Sequence, residues 1–159
     1  MANMIYLTLK GSKQGAISQG CGSLDSIGNK YQSGHEDEIF ILRLGNGFSR
    51  RQNISFQPVS LIKLLDKSSP LLANAIANNE TLEMVFNFYR TSQTGSQEKY
   101  YTITLREASI VSLESDYPHS ANHNDQLPEE TLTVRYKDII FQHIMAGTSG
   151  YCSWQENTI

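Results

Sequence analysis

The stretch Leu82-Glu-Met-Val-Phe-Asn-Phe-Tyr89 has apolar residues at all its even-numbered positions, from Leu82 to Phe88. Side chains of a β-strand point alternately to its two faces, so this pattern predicts a half-buried strand. The segment from Ile5 to Leu9 repeats the pattern. Runs of the same kind cover residues 38–44, 54–65, 100–114 and 131–144. Turn-forming residues separate these runs, which favours a meander or barrel of antiparallel strands over alternating strands and helices.

One helix is predicted to interrupt the strands, at about residues 70–79. Ser69 offers an N-cap hydroxyl, and Pro70 suits the first helical position. Leu72 and Ile76 lie four residues apart, on one face of that helix. An isolated helix of this length is unstable in water, so we expect its apolar face to pack against the strands.

The chain is predicted to form a single β-rich domain over residues 1–159. Polar, glycine-containing segments at about residues 11–34 and 45–53 are predicted as extended loops. A structureless stretch as long as the first loop is unusual inside a compact domain unless it has a function or docks elsewhere.

Charge and hydropathy exclude several classes of partner. The net charge of −3 leaves no excess of cations to neutralise phosphates, so nucleic acid is not an expected partner. The longest aliphatic and aromatic run, residues 39–42, is far too short for a membrane span. The N-terminus alternates and lacks a basic region, unlike a secretory signal peptide. Cys21 and Cys152 lack metal-binding spacing, and we interpret them as reduced thiols.

Motifs for catalysis are incomplete. The segment Gly147-Thr-Ser-Gly-Tyr151 lacks the second glycine of a nucleophile elbow, so it predicts a plain turn. The segment Gly45-Asn-Gly-Phe-Ser-Arg50 lacks the third glycine and the helix of a dinucleotide-binding site, so it predicts a hairpin loop. His143 falls in a predicted strand, where a packed or solvated imidazole is commoner than a general base. The sequence therefore predicts neither an enzyme nor a cofactor.

Residues 116–125 are the best metal candidate, with Asp116, His119, His123 and Asp125 within ten residues. Pro118 and the neighbouring Ser and Asn residues form turns and favour an irregular, solvated loop. No metal is expected, although a metal-dependent hydrolase remains a rival hypothesis.

Three longer segments, in order, point to a known family. They are Lys63-Leu-Leu-Asp-Lys-Ser-Ser-Pro-Leu-Leu72, Tyr101-x-Ile103-x-Leu105 and Glu130-Thr-Leu132-x-Val134-x-Tyr136-x-x-Ile139. Together with the opening run Met4–Lys10, they resemble the haemolysin-coregulated protein (Hcp) family of bacterial type VI secretion systems, in its enterobacterial branch. The resemblance extends from about Met4 to Trp154.

The resemblance implies a compact antiparallel β-barrel of two packed sheets with one flanking α-helix, similar to phage tail-tube proteins. It also implies a homohexameric ring that stacks with further rings into the inner tube of a contractile injection machine. Partners would be the sheath, spike and baseplate of that machine and the secreted effectors carried in the ring lumen. The protein would be cytoplasmic before assembly and then exported to the extracellular space or a target cell without a signal peptide.

Two charged clusters are candidates for ring stacking. Strand alternation predicts Glu36 and Glu38 on one face of the strand entrance and His35 and Asp37 on the other. Arg50 and Arg51 fall at a predicted loop tip in the same hairpin. We hypothesise that Glu36, Asp37 and Glu38 of one ring face Arg50 and Arg51 of the next. The alternative is a monomeric β-barrel that binds a small ligand.

Overall fold

The structure is a computed structural model that describes residues 3–122 and 126–154. The described residues form eleven strands: β1 (Met4–Gly11), β2 (Gly15–Ala16), β3 (Ile39–Gly45), β4 (Phe48–Arg50), β5 (Ile54–Phe56), β6 (Val59–Leu64), β7 (Leu82–Thr91), β8 (Gln97–Asp116), β9 (Glu129–Arg135), β10 (Asp138–His143) and β11 (Thr148–Ser153). The helices are α1 (Leu24–Ile27), which leads into a 3-10 turn (Gly28–Lys30), and α2 (Ser68–Ala77). No helix in the described ranges is long and apolar enough to span a bilayer.

Six antiparallel strands form a closed ring of hydrogen-bonded neighbours. The order is β8, β7, β1, β3, β6 and β9, and β9 pairs back onto β8. Strand β8 closes the ring because its first half pairs with β7 and β10, whereas residues 109–116 pair with β9. Strands β10 and β11 extend the sheet outward from β8. The predicted class, mainly antiparallel β with one main helix, is confirmed.

The core fills the inside of this ring. The inward positions of the strands are aliphatic and aromatic, as the alternation predicted. They include Leu7, Leu9, Ile39, Ile41, Leu61, Leu82, Met84, Phe86, Leu105, Leu132 and Val134, all nearly fully buried. Because side chains fill the interior, the structure does not favour the alternative of an internal ligand-binding cavity.

Two predicted long strands are each divided. The run 54–65 is interrupted at Gln57 and Pro58, since proline cannot donate a hydrogen bond to a strand ladder. The run 131–144 is interrupted at Tyr136 and Lys137, where the chain passes from β9 to β10. At the same level Glu107 has φ 49°, which is rare for a residue with a side chain. Paired strands therefore change direction there together.

Two segments predicted as a loop and a turn contain strands. Strand β4 lies within the predicted loop 45–53, and β11 replaces the turn predicted at residues 147–151. The hairpin of β4 and β5 forms through aromatic packing, since Phe48 contacts Phe56 and Phe141 edge-on, at centroid distances of 5.2 and 5.9 Å. The contact with Phe141 comes from a distant part of the chain, so local composition did not indicate it.

Helix α2 begins two residues before the predicted start. At its N-terminus, Asp66 Oδ1 accepts a hydrogen bond from the Ser68 N–H at 2.8 Å. Ser69 is not the N-cap, and its hydroxyl oxygen accepts from the Asp66 N–H instead. Leu72 is buried in the core, as predicted, and Ile76 packs against it in part.

A buried charge cluster joins α2 to the strands. The Lys63 side chain points into the core enclosed by the six strands and has no exposed surface. Its Nζ contacts the carboxylates of both Glu130 on β9 and Asp66. The Ser69 hydroxyl donates to Glu130 Oε1 at 2.7 Å. Breaking a buried pair from one side is strongly destabilising, because it leaves an uncompensated charge. The cluster therefore fixes the helix start against β6 and β9.

The predicted loop 11–34 is not structureless. It contains β2, α1 and the 3-10 turn, and Glu80, after α2, fastens its start. Glu80 Oε2 accepts from the N–H groups of Lys13 and Gln14 at 2.9 and 2.8 Å, and Oε1 accepts from the Gln14 amide. Gly11 is needed here because a Cβ would collide with the Glu80 carboxylate.

We predict that Glu80 makes a contribution to folding stability that is lost in acid. Desolvation acts to raise the pKa of its carboxyl, but the hydrogen bonds from Gln14 and Lys13 outweigh it and hold the pKa below its usual value. A lowered folded-state pKa stabilises the protein above the unfolded pKa, and that stabilisation is lost as pH falls through the folded pKa. We expect Glu80→Gln to lower the free energy of unfolding at about pH 7 by about 1 to 3 kcal/mol.

Urea denaturation at fixed protein concentration measures this effect. The difference between wild type and Glu80→Gln shrinks in acid, because the wild-type carboxylate is then protonated. Glu83→Gln, on the exposed side of β7, is the matched control. Equal stabilities of wild type and Glu80→Gln at neutral pH would show that Glu80 does not fasten the loop.

Candidate assembly surfaces

The three acidic residues predicted for stacking lie in a turn before β3. Glu36 accepts hydrogen bonds from the N–H of Gly34 at 3.1 Å and from the Tyr31 hydroxyl at 3.0 Å. Backbone N–H groups, its own and that of Gly34, together with Tyr31, lower the pKa of the Glu36 carboxyl. Asp37 is exposed, and its Oδ1 accepts from the Gly20 N–H at 3.0 Å. Through these hydrogen bonds both side chains shape the 11–34 segment.

Glu38 turns toward the protein and pairs with His35. The His35 Nδ1 lies 2.7 Å from Glu38 Oε1, and Asn87 on β7 donates to Glu38 Oε2 at 3.1 Å. The His35 ring stacks on Tyr6 with centroids 4.0 Å apart. Burial, with the Glu38 charge, raises the pKa of Tyr6 to about 12. The predicted separation of His35 and Glu38 on opposite faces is wrong, since a turn brings residues three apart together.

Arg50 and Arg51 lie in the hairpin of β4 and β5, where both are exposed. Arg50 ends β4 opposite Ile54, and Arg51 is in the connecting turn. The acidic turn immediately precedes β3, whereas the hairpin follows the end of β3. The structure therefore places the two charged clusters at opposite ends of one strand and does not bring them together within the chain.

Strands β3, β6, β9 and the second half of β8 form a four-stranded layer with two open edges. Residues 43–45, the β3 edge, pair with β6 on one side only, since β1 pairs with residues 39–41. Residues 110–116, the β8 edge, pair with β9 on one side only. Within the described ranges no other backbone hydrogen bond involves either edge. Unpaired strand edges are templates for pairing with another chain.

The outward side of this layer, the four-strand face, is rich in hydroxyls. One cross-strand row contains Ser112, Thr133, Ser60 and Gly45. The next row contains Glu114, Thr131, Ile62 and Arg43. Toward one end of the face, Phe40, Leu42, Leu64 and Leu127 line a groove of about 530 Å³ with Asp116 and Glu129. The face thus combines hydroxyls at most inner positions, charged residues at both edges of one row, and a partly apolar groove at one end.

The metal candidate cannot be followed in full, because His123 and Asp125 lie outside the described residues. His119 is exposed, and its Nδ1 accepts from the Asn122 N–H at 3.3 Å. Among the described residues no group of three His, Cys, Asp or Glu side chains could hold a metal. Both cysteines are free thiols, and burial, followed by the charge of Asp66, raises the pKa of Cys21 to about 11.

Comparison with known proteins gives a consistent picture. The sequence profile described as "Type VI secretion system effector, Hcp" matches residues 6–143. The chain is 36% identical to the "Major exported protein" of Pseudomonas aeruginosa, covering 98% of this chain and 97% of that protein. It is 44% identical to the uncharacterized protein YhhZ of Escherichia coli K12, over 99% of this chain. The chain spans 39% of the length of YhhZ.

Solved structures agree with the sequence comparison. An Hcp protein crystal structure aligns with a TM-score of 0.89 at 31% identity, over 97% of this chain and 99% of that one. The secreted protein Hcp3 of Pseudomonas aeruginosa aligns with a TM-score of 0.86 at 35% identity, over 96% and 98% of the two chains. The chain therefore belongs to the Hcp family of type VI secretion proteins.

Proposed function

We propose that this protein is a tube subunit of a type VI secretion machine, forming hexameric rings that stack and are exported. The observation that carries the proposal is the pair of open edges on one four-stranded layer. The β3 edge and the β8 edge lie on opposite sides of that layer, so one protomer offers two different surfaces. Different surfaces that mate head to tail generate rings when the rotation closes.

Strand direction supports pairing of the β8 edge of one protomer with the β3 edge of the next, which we call the ring joint. Successive strands of the layer are antiparallel, so β8 runs opposite to β3. When protomers share one orientation around an axis, the β8 edge of one meets the β3 edge of the next in antiparallel fashion. Pairing of the two edges satisfies backbone groups that are otherwise open and continues the layer around the ring.

We infer from this arrangement which surface lines the lumen. The core side of the layer is covered by its own barrel, which leaves the four-strand face free, and we propose that this face turns toward the ring axis with the barrels outside it. The hydroxyls of Ser60, Ser112, Thr131 and Thr133 then line the channel, with the apolar groove at one end. Effectors carried there would meet a wall of hydroxyls with charged residues at the protomer edges and a partly apolar rim. The role is structural and needs no catalytic group.

The oligomeric state tests the proposed ring. Size-exclusion chromatography with light scattering is expected to give six times the 17.9 kDa protomer mass at micromolar concentration. A stable joint is expected to bury on the order of 1,600 Å² in total. A 17.9 kDa monomer across that range would contradict the proposal and return attention to a monomeric binding protein.

Stacking is proposed to use the two charged clusters. The acidic turn and the arginine hairpin lie at opposite ends of β3, as surfaces on opposite sides of a ring would. Exposed ion pairs are worth roughly 0 to 1 kcal/mol each, but a ring repeats every pair around its axis. Partners in the assembled machine are further rings, the sheath, the spike and the baseplate.

Charge reversal tests this stacking. Arg50→Glu with Arg51→Glu is expected to leave the ring intact while tube assembly and secretion are lost, because like charges then face each other across the rings. Tubes of the wild type should also weaken as salt rises, since exposed pairs are screened. Lys10→Glu with Arg106→Glu, two exposed positions on β1 and β8, is the matched control. Normal secretion by the arginine variant would place the inter-ring contact elsewhere.

A further inference from the structure

One cross-strand row of the four-strand face carries opposite charges at its two ends. Glu114 on β8 is directly opposite Thr131 on β9, which is opposite Ile62 on β6, which is opposite Arg43 on β3. Glu114 therefore stands on the β8 edge and Arg43 on the β3 edge. The two inner positions of the row are uncharged.

Both charged side chains are exposed, and the described part of the chain provides neither with an ion pair or side-chain hydrogen bond. Other exposed charges do pair within the protomer. Lys137 reaches Glu107 at 3.2 Å, and Arg90 reaches Glu98 at 3.3 Å. Glu114 and Arg43 thus combine two features: each stands on an open edge of the layer, and neither has an ion pair within the described part of its own protomer.

We propose that Glu114 of each protomer pairs with Arg43 of the next across the ring joint. The inference rests on the proposed ring. Directly opposed residues of antiparallel strands have Cβ atoms about 4.5 to 5.5 Å apart, and diagonal neighbours are about 7 to 8 Å apart. Glutamate and arginine side chains span either distance, so the pair forms at the direct register or one diagonal away.

The pair also selects the joint. If two β8 edges met around a two-fold axis, Glu114 would approach its own copy, and two β3 edges would bring Arg43 toward Arg43. Like charges opposed across strands are destabilising, whereas opposite charges stabilise. The head-to-tail joint is the one arrangement of these two edges that brings unlike charges together. Specificity of this kind rejects competing assemblies as well as favouring the correct one.

Two single charge reversals and their mixture test the pair. In Arg43→Glu both edges are acidic, and in Glu114→Arg both are basic, so each variant alone is expected to lose ring stability. Mixed in equal amounts, the two variants restore unlike charges at every joint when they alternate. Native mass spectrometry should then show hexamers with three copies of each variant.

The expected loss of assembly follows from the energies of cross-strand charge pairs. Losing one such pair changes the association constant of a joint by roughly 1.4- to 5-fold. Because the ring repeats the joint, the concentration at half assembly should rise for each single variant and return toward wild type for the mixture. Lys137→Glu, which breaks an exposed pair inside one protomer, is the matched control and should leave assembly unchanged. Thermal unfolding of the protomers checks that the variants are folded.

The outcomes separate the two proposals. Wild-type hexamers with unchanged assembly in both single variants would overturn the Arg43–Glu114 pair and leave the ring standing. A weakened single variant without recovery in the mixture would also overturn the pair. A wild type that stays monomeric would overturn both the ring and the pair.

Discussion

The two-sided pairing of β8 is the constraint on which the rest of the structure depends. This 20-residue strand binds β7 and β10 along its first half and β9 along its second, so it belongs to both layers of the barrel. The change occurs near Glu107, whose positive φ lets the strand turn. Because β7 leaves β8 at Ala108, the second half keeps one open side. The edge proposed for ring closure therefore follows from the way the barrel closes.

Buried polar groups hold the remaining parts on this frame. Lys63, Asp66 and Glu130 fix the helix start, and Glu80 fastens the beginning of the 11–34 segment. Such groups are costly to bury unless every partner is in place, so they specify one arrangement. The acidic turn before β3 is held in the same way, since the Glu38 carboxylate contacts both His35 and Asn87. Glu38 is therefore less available than Asp37 to pair with a residue of another ring.

Period-two alternation predicted the strands well because one face of each is buried. The helical spacing of Leu72 and Ile76 predicted that Leu72 packs into the core. Neither pattern could show that Phe48 packs on Phe141, since that contact joins distant segments. The alternation did contain an unused signal. Lys63 shares the inward phase of Leu61, and Glu130 shares that of Leu132, so opposite charges at inward positions pointed to a buried pair. Arg43 and Glu114 were missed because their relation depends on register across four strands.

Backbone hydrogen exchange can show whether the β8 edge of one protomer pairs with the β3 edge of the next. Exchange is compared between assembled protein and protein diluted until it dissociates. If the two edges pair, assembly slows exchange at residues 43–45 and 110–116, while the outer side of β11 exchanges equally fast in both states. Unchanged exchange at both edges in an assembled ring, with new protection along β11, would contradict that pairing.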